Sequence, residues 1–302
     1  MEAIQHVEPF ALDQLHDHLK ERAGEATPPK NTPAAAAAPK VDTPDWYELL
    51  EEAVREPGQL SAAHRFFHKY SLTNCWLVAI QLRALGLPLM PINTFNGWLK
   101  AKRPVQKGQS KSISLVVPVP VNIKEKNEDG SETSKKAFTR FLLRRNWFHM
   151  GQTAGEDYTP EPAADRDWKL EAALDFLEIK ERAFEFASVG DKRLGYAIGK
   201  EIAISPLETN QAYGRLREMA RVVLGHTADK PSKAVPEDLA LRDIEADTTA
   251  YLVAATLGFT GLEEARLRLQ LNLGDSAKLR IPDKCANRAF SAADKLINAG
   301  YC

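Results

Sequence analysis

Residues 217–226 read Arg-Glu-Met-Ala-Arg-Val-Val-Leu-Gly-His, and this stretch decides how the C-terminal half of the chain is interpreted. It lies in a predicted helix over residues 211–224. Residues four positions apart share one face of a helix, so Arg217 and Arg221 are neighbours, and Glu218 lies beside them. Arginine has no lone pair to offer and stays protonated, so neither arginine can ligate a cation.

The same stretch has the spacing of a zinc-peptidase helix. That helix reads His-Glu-x-x-His, where both histidines hold the zinc ion and the glutamate activates the bound water. Here Arg217 and Arg221 occupy the two histidine positions, while Glu218 keeps the position of the base. The stretch therefore resembles a peptidase helix that has lost its metal ligands, and the function must be sought elsewhere in the chain.

The composition is that of an ordinary globular protein. A length of 302 residues suggests about two domains, and no stretch approaches the ~20 apolar residues of a membrane span. The N-terminus lacks the basic and then apolar pattern of a secretory signal. Three cysteines without a Cys-x-x-Cys pair favour a reducing environment. We therefore predict a cytoplasmic protein with no cofactor, no bound metal and no membrane partner.

The charge of the chain is unevenly distributed. Residues 61–150 contain fifteen Lys and Arg but only four Asp and Glu, a balance of +11. Since the whole chain carries −1, the remaining residues carry −12. A basic part that contains interleaved aromatic residues indicates a polyanion partner, and nucleic acid is the expected one.

Proline-rich stretches divide the chain into predicted segments. Residues 1–44 comprise a short helix over 1–23 and a Pro/Ala-rich linker, and an acidic, proline-containing stretch at 154–166 is the predicted interdomain linker. The two domains are then 45–153 and 167–302. Helices are predicted at 45–54, 62–70, 72–85, 94–102, 168–177, 211–224, 237–258, 262–273 and 286–299. Strands are predicted at 112–119, 136–148 and 195–205, the last as strand–turn–strand, with Asp129-Gly130 as a hairpin turn.

Residues 70–153 resemble the N-terminal domain of ArdC-type antirestriction proteins, a single-stranded DNA-binding module of plasmids and phages. The resemblance is carried, in order, by Tyr70-Ser-Leu-Thr-Asn74, Trp98, Val105-Gln-Lys-Gly108, Ile113-Ser-Leu-Val-Val-Pro118, and Trp147-Phe148 before Gly151-Gln-Thr153. It covers about a quarter of the chain.

Independently of the family resemblance, the residue types in this segment suit the binding of single-stranded DNA. Binding of single strands needs cations along a groove and exposed aromatic faces on which bases stack. Glycine lets the backbone approach a phosphate closely. Trp98 and Asn74 are also candidates for purely structural roles. The predicted DNA-binding residues are Tyr70, Asn74, Trp98, Lys100, Lys102, Arg103, Lys107, Gly108, Lys111, Arg144 and Arg145.

Residues 195–260 resemble the minimal zinc-peptidase domain that accompanies this module. In that family the helix after the motif supplies an acidic third ligand, which the resemblance places at Glu245. The implied fold is α+β, with a small basic α+β domain and a mostly helical, zincin-like domain with a short sheet. With Arg217, Glu218 and Arg221 at the degenerate motif positions, we predict no catalytic residues and no enzyme activity.

Arg217 and Arg221 are predicted to pair with Glu245 in place of the metal, with Asp243 and Asp247 as alternative partners. His226 lies about 140° further round the helix than Arg221 and is expected to face elsewhere. The leading function is therefore a single-stranded DNA-binding protein of a mobile element that protects transferred DNA. Two alternatives stay open: an active zinc metallopeptidase using Glu218, Glu245 and His226, or an adaptor whose acidic half binds a protein partner.

Overall fold

Three helices begin the part of the chain that the structure describes. The computed structural model describes residues 43–56, 58–126, 132–160, 167–273 and 280–301. Helix α1 spans Trp46–Arg55, α2 spans Gln59–Phe66 and α3 spans Leu72–Ala84. The Asp45 and Ser71 side chains accept hydrogen bonds from backbone N–H groups in the first turns of α1 and α3. The predicted helix over 1–23 and most of the predicted linker lie outside the described residues.

An antiparallel sheet follows these helices. It contains β1 (Ile92–Thr94), β2 (Ile113–Lys126) and β3 (Glu132–His149) in the order β1-β3-β2, with the short helix α4 (Phe95–Lys100) after β1. The two strands predicted here are confirmed and are longer than predicted. β1 was not predicted, because three residues are too few to show an alternating pattern. The predicted Asp129-Gly130 turn lies outside the described residues.

Side chains of α3 cover the outer edge of β2. The Asn74 amide accepts from the Val116 N–H (2.9 Å) and donates to the Val116 carbonyl (3.0 Å). The Gln81 amide binds the N–H and carbonyl of Ser114 in the same way, at 2.8 and 2.9 Å. Alternate residues of a strand direct their N–H groups to the same edge. After Ser114 and Val116, the next two positions on the outer edge are Pro118 and Pro120, which have no N–H.

The C-terminal half is mostly helical with a short second sheet. Its strands have the order β4-β6-β5, with β4 parallel and β5 antiparallel to β6. The predicted strand–turn–strand at 195–205 and the predicted helices are confirmed, and the two-residue β4 was not predicted. The elements are α5 (Leu170–Leu177), β4 (Lys180–Glu181), β5 (Gly195–Ile198), β6 (Glu201–Ile204), α6 (Gln211–Val223), α7 (Leu239–Leu257), α8 (Glu263–Leu273) and α9 (Asp283–Ala299).

Helices from both predicted domains share one hydrophobic core. Leu50 and Trp76 of the N-terminal helices belong to the same buried cluster as Tyr251 and Phe290 of α7 and α9. The Leu72 N–H at the start of α3 also donates to Asp294 of α9, at 2.8 Å. The mixture of helices and small sheets confirms the α+β class. Residues 45–153 and 167–302 do not, however, have separate cores. A smaller cluster, which includes Cys75, Val78, Ile113 and Leu115, lies under the first sheet.

Candidate functional site

Three of the predicted DNA-binding lysines form an exposed basic segment between α4 and β2. Lys100, Lys107 and Lys111 are exposed, and none makes an ion pair with another residue that the structure describes. Gly108 has φ 87° and no neighbouring atom within 4 Å of the position of a Cβ, so the turn that it forms faces open space. This segment therefore offers positive charge that no residue within the described ranges neutralises.

Lys102 and Arg103, predicted as DNA contacts, instead fasten a later segment of the chain. The Lys102 ammonium lies 3.2 Å from the Glu156 carboxylate. Arg103 donates to the Thr153 hydroxyl (3.2 Å) and to the Glu156 carbonyl. These hydrogen bonds give Arg103 a structural role, and its predicted contact with DNA stays a prediction.

Asn74 and Trp98 are also committed to the protein interior. Both amide atoms of Asn74 bind the backbone of β2. The Trp98 ring is fully buried, and its Nε1–H donates to the Phe148 carbonyl at 2.9 Å. A base could stack on this ring only if the core opened, so the predicted DNA-binding roles of Asn74 and Trp98 are corrected. Tyr70 is half-buried and lines a cavity.

Strand β3 presents a second basic surface. Arg144 and Arg145 are exposed, as a DNA contact requires. The sequence interpretation missed Arg140, which is also exposed, and Phe141, whose side chain is 61% exposed on the strand face opposite to Arg140 and Arg144. It also missed Phe95 of α4, which is 52% exposed. The available signal was an aromatic residue flanked by arginines on a strand, but Phe141 was read as an ordinary bulky strand position.

In the C-terminal half, the two arginines of the degenerate motif surround Glu218. The Glu218 side chain is 1% exposed, and the nearest Arg217 and Arg221 nitrogens lie 3.3 and 3.2 Å from its oxygens. The Arg221 approach to Oε2 lacks hydrogen-bond geometry, so that buried oxygen accepts no hydrogen bond from a described residue. Burial raises the pKa of Glu218 above its ordinary value, although Arg221 and Arg217 oppose this. Arg221 also binds Asp243 at 2.8 Å.

Glu245 lies in a separate, fully buried ion cluster. Its carboxylate is 2.7 Å from His226 Nε2 and 2.7 Å from Arg288 Nε. Arg288 also donates to the Leu224 carbonyl at 2.7 Å, so it ties α9 to the end of α6. Burial opposes ionisation of Glu245, but the hydrogen bonds from His226 and Arg288 outweigh it and lower the pKa of this carboxyl.

Two predictions about this region need correction. The predicted pairing of Arg221 with Asp243 is confirmed, whereas Arg217 contacts Glu218. The predicted pairing with Glu245 is wrong, because its partners are His226 and Arg288. His226 does not face away from Glu245. Helix α6 ends at Val223 and Gly225 has φ 78°, so the chain turns and a helical extrapolation to residue 226 no longer holds.

The residues at the motif positions do not fit a zinc ion. Zinc needs lone pairs from imidazole, thiolate or carboxylate groups, whereas Arg217 and Arg221 present only N–H donors and positive charge. Both Glu245 oxygens already accept hydrogen bonds from His226 or Arg288. Within the described ranges, no group of three or more His, Cys, Asp or Glu side chains is arranged to hold a metal.

Comparison with known proteins leads to one class of solved structures, the antirestriction proteins. The chain is similar to antirestriction protein ArdC from plasmid R388 in its metal-free form, at 15% identity and a TM-score of 0.41. For the Mn(II)-bound form the values are 18% and 0.42, and in both cases the match covers 84% of this chain and 97% of the other. No protein-family model and no curated protein matches the chain.

The family that the sequence resembles is thus also the one to which these solved structures belong. At this distance the structural likeness carries no inference about activity. Among the helices that the structure describes, none combines the length and apolarity needed to cross a bilayer.

Proposed function

We propose that this chain binds single-stranded DNA through two basic surfaces, residues 100–111 and residues 140–145. The observation that carries the proposal is the pairing of exposed cations with exposed aromatic rings. Lys100, Lys107 and Lys111 have no ion-pair partner among the described residues, and Phe141 lies exposed on β3, on the strand face that alternation gives to Arg145. Single strands bind by phosphate contacts and by stacking of bases, and these surfaces supply both.

The C-terminal half is proposed to be a non-catalytic, peptidase-like part of the protein. What supports this is that both carboxylates are already engaged by protein groups: guanidinium groups contact Glu218, and His226 and Arg288 bind Glu245. A role in antirestriction on a plasmid or phage rests on the sequence resemblance and is part of the same proposal. The acidic half is further proposed as a surface for a protein partner, since residues 151–302 carry a net charge of −5.

The direct test is fluorescence anisotropy of labelled single- and double-stranded oligonucleotides at two salt concentrations. The full chain should be used, because its N-terminal helices share a core with α7 and α9. We expect tighter binding of single strands that weakens as salt rises. A protein that binds neither form at low salt would contradict the proposal.

A charge-matched pair of triple variants locates the interface. Lys100→Ala, Lys107→Ala and Lys111→Ala together should reduce the slope of log K against log salt by about 2, since each contact to a single strand contributes about 0.7. The control removes three exposed lysines of the other half, Lys192, Lys230 and Lys233, and changes the net charge equally. If both triple variants lose the same affinity, binding follows net charge and not this surface.

Stacking and catalysis are tested separately. Phe141→Ala should weaken binding by about 5- to 100-fold without changing the salt slope, because stacking is worth about 1–3 kcal/mol per base. For catalysis, denatured casein is incubated with the protein and added zinc. Cleavage that disappears in Glu218→Gln would overturn the non-catalytic assignment. Transformation of unmodified plasmid into a restricting host, with and without the protein, tests the antirestriction role.

A further inference from the structure

A small cavity lies beside the first sheet, within the basic part of the chain. Its volume is about 220 Å³. Its walls come from the end of α2 and the loop after it, from β1, and from the segment around residue 158. Aromatic and proline rings form much of this lining, among them Phe66, Tyr70, Pro91, Tyr158 and Pro160. This volume is below the ~300 Å³ at which pockets for drug-sized ligands begin, so it suits a single ring system.

Polar groups in the same lining lack partners. The buried Nδ1 atom of His68 has no hydrogen-bond partner in the structure. The Asn93 amide oxygen accepts from the Thr94 N–H at 2.9 Å, whereas its amide nitrogen donates to no described residue. The Nδ1 atom is enclosed by protein, whereas His68 Nε2 is not enclosed and has no hydrogen-bond partner among the described residues, so Nε2 and the Asn93 amide can meet a ligand with hydrogen-bonding edges. Lys69 adds positive charge to the lining.

The cavity is held open by rigid neighbours. The Tyr158 ring packs edge-on against Trp98 at 5.2 Å, and Trp98 is itself fully buried. Lys102 and Arg103 fasten the chain just before Tyr158 through Glu156. The wall therefore does not need to form when a ligand arrives, which reduces the entropic cost of binding.

We propose that this cavity takes one unstacked nucleobase of the bound strand, held between the Tyr70 and Tyr158 walls and hydrogen-bonded by His68 and Asn93. The proposal rests on the proposed single-stranded DNA binding and adds a base-holding site to it. A nucleobase is planar, matches the ring-lined walls, and carries donors and acceptors on its edge. Lys69 then lies close enough to the strand to favour its phosphate charge.

The test compares two probes of equal charge, using the full chain. One is an oligodeoxynucleotide of about ten nucleotides, and the other has the same length with abasic sites throughout. Wild-type protein should bind the base-bearing probe at least about tenfold more tightly. Tyr158→Ala should remove a large part of that preference, about five- to tenfold, and leave binding of the abasic probe unchanged. Far-UV circular dichroism confirms that each variant is folded.

A second variant and a control make the outcome decisive. His68→Leu keeps an apolar wall but removes the unpaired nitrogen, and should also lower the preference for bases. Phe176→Ala removes an exposed aromatic ring that does not line the cavity and should change neither affinity. If Tyr158→Ala and His68→Leu leave the preference intact, the cavity proposal is overturned while single-strand binding stands.

Two further outcomes separate this site from the proposed function. Binding of neither probe by the wild type overturns both proposals together. Competition with thymidine monophosphate distinguishes the source of the base. Displacement of the base-bearing probe at low millimolar concentrations or below, lost in Tyr158→Ala, would mean that the cavity takes free nucleotides and would overturn the assignment to a base of the bound strand.

Discussion

Removal of Arg288 should destabilise the protein strongly. Arg288 holds the fully buried carboxylate of Glu245 at 2.7 Å and also donates to the Leu224 carbonyl. Arg288→Ala leaves Glu245 in contact with His226 but without its guanidinium partner, and it frees the carbonyl at the end of α6. Loss of one partner of a buried ion pair typically costs about 3–5 kcal/mol.

The expected loss of stability can be expressed as a fall in the melting temperature. For a domain of this size class, 1 kcal/mol corresponds to roughly 2–4 °C, so Arg288→Ala should lower Tm by roughly 10 °C. The assay is thermal unfolding followed by circular dichroism, with urea unfolding to obtain the free energy. The control is Arg55→Ala, which removes an exposed arginine that is paired with Glu51 and Glu52 on its own helix. Such surface pairs contribute about 0–1 kcal/mol each.

The pH dependence gives an independent check of the same cluster. In the wild type the pKa of Glu245 is lowered, so its contribution to stability is present above the ordinary carboxyl pKa and is lost as the pH falls through the lowered value. Without Arg288, burial should raise that pKa, and the variant should then become relatively more stable as the pH falls from 7 towards 5. An Arg288→Ala protein that is as stable as Arg55→Ala, with an unchanged pH profile, would refute this account of the ion cluster.

Three further perturbations test other parts of the structure. Because the pKa of Glu218 is raised, its protonated form stabilises the fold and this contribution is lost as the pH rises, so Glu218→Gln should flatten the dependence of stability on pH above 4.5. Asn74→Ala and Gln81→Ala should each cost about 1–3 kcal/mol in urea unfolding, because each leaves a strand N–H and a carbonyl unpaired. Gly97→Ala should cost about 1–3 kcal/mol despite a better helix propensity, because the added Cβ would lie 1.8 Å from the Asn93 amide oxygen.

Each of these has an outcome that contradicts it. For Glu218, an amide variant with the same pH profile as the wild type would show that this carboxyl does not titrate differently on folding. For Asn74 and Gln81, alanine substitutions that lose as little stability as an exposed control would mean that water satisfies the strand edge. For Gly97, a gain in Tm for the alanine variant would show that Asn93 moves aside at no cost.

The elements of the fold could be predicted from the sequence far better than the contacts between them. Apolar periodicity and capping residues located α3, α6 and α7 to within about three residues at either end. The shared core was not predicted, because a linker-like composition at 154–166 says nothing about which helix faces pack together. The tertiary structure determines which helices pack together, and a local sequence pattern does not contain that information.

Side-chain roles show the same limit at the candidate site. The exposed lysines between α4 and β2 were found because charge alone keeps such residues at the surface. Trp98 and Asn74 were misassigned, since a buried tryptophan and an exposed one look alike in a sequence. The pairing of His226 with Glu245 depends on the left-handed turn at Gly225, which redirects the chain by an amount that helical geometry cannot anticipate.

The covered outer edge of β2 has a consequence for crowding. A protein that coats a single strand places many copies side by side, at a local concentration far above that in free solution. An open strand edge under those conditions would pair with the edge of a neighbour and drive aggregation. Over residues 114–120 the amides of Asn74 and Gln81 and the prolines of Pro118–Pro120 remove that possibility. On the proposed DNA strand, neighbouring copies would therefore not pair with each other through this edge of β2.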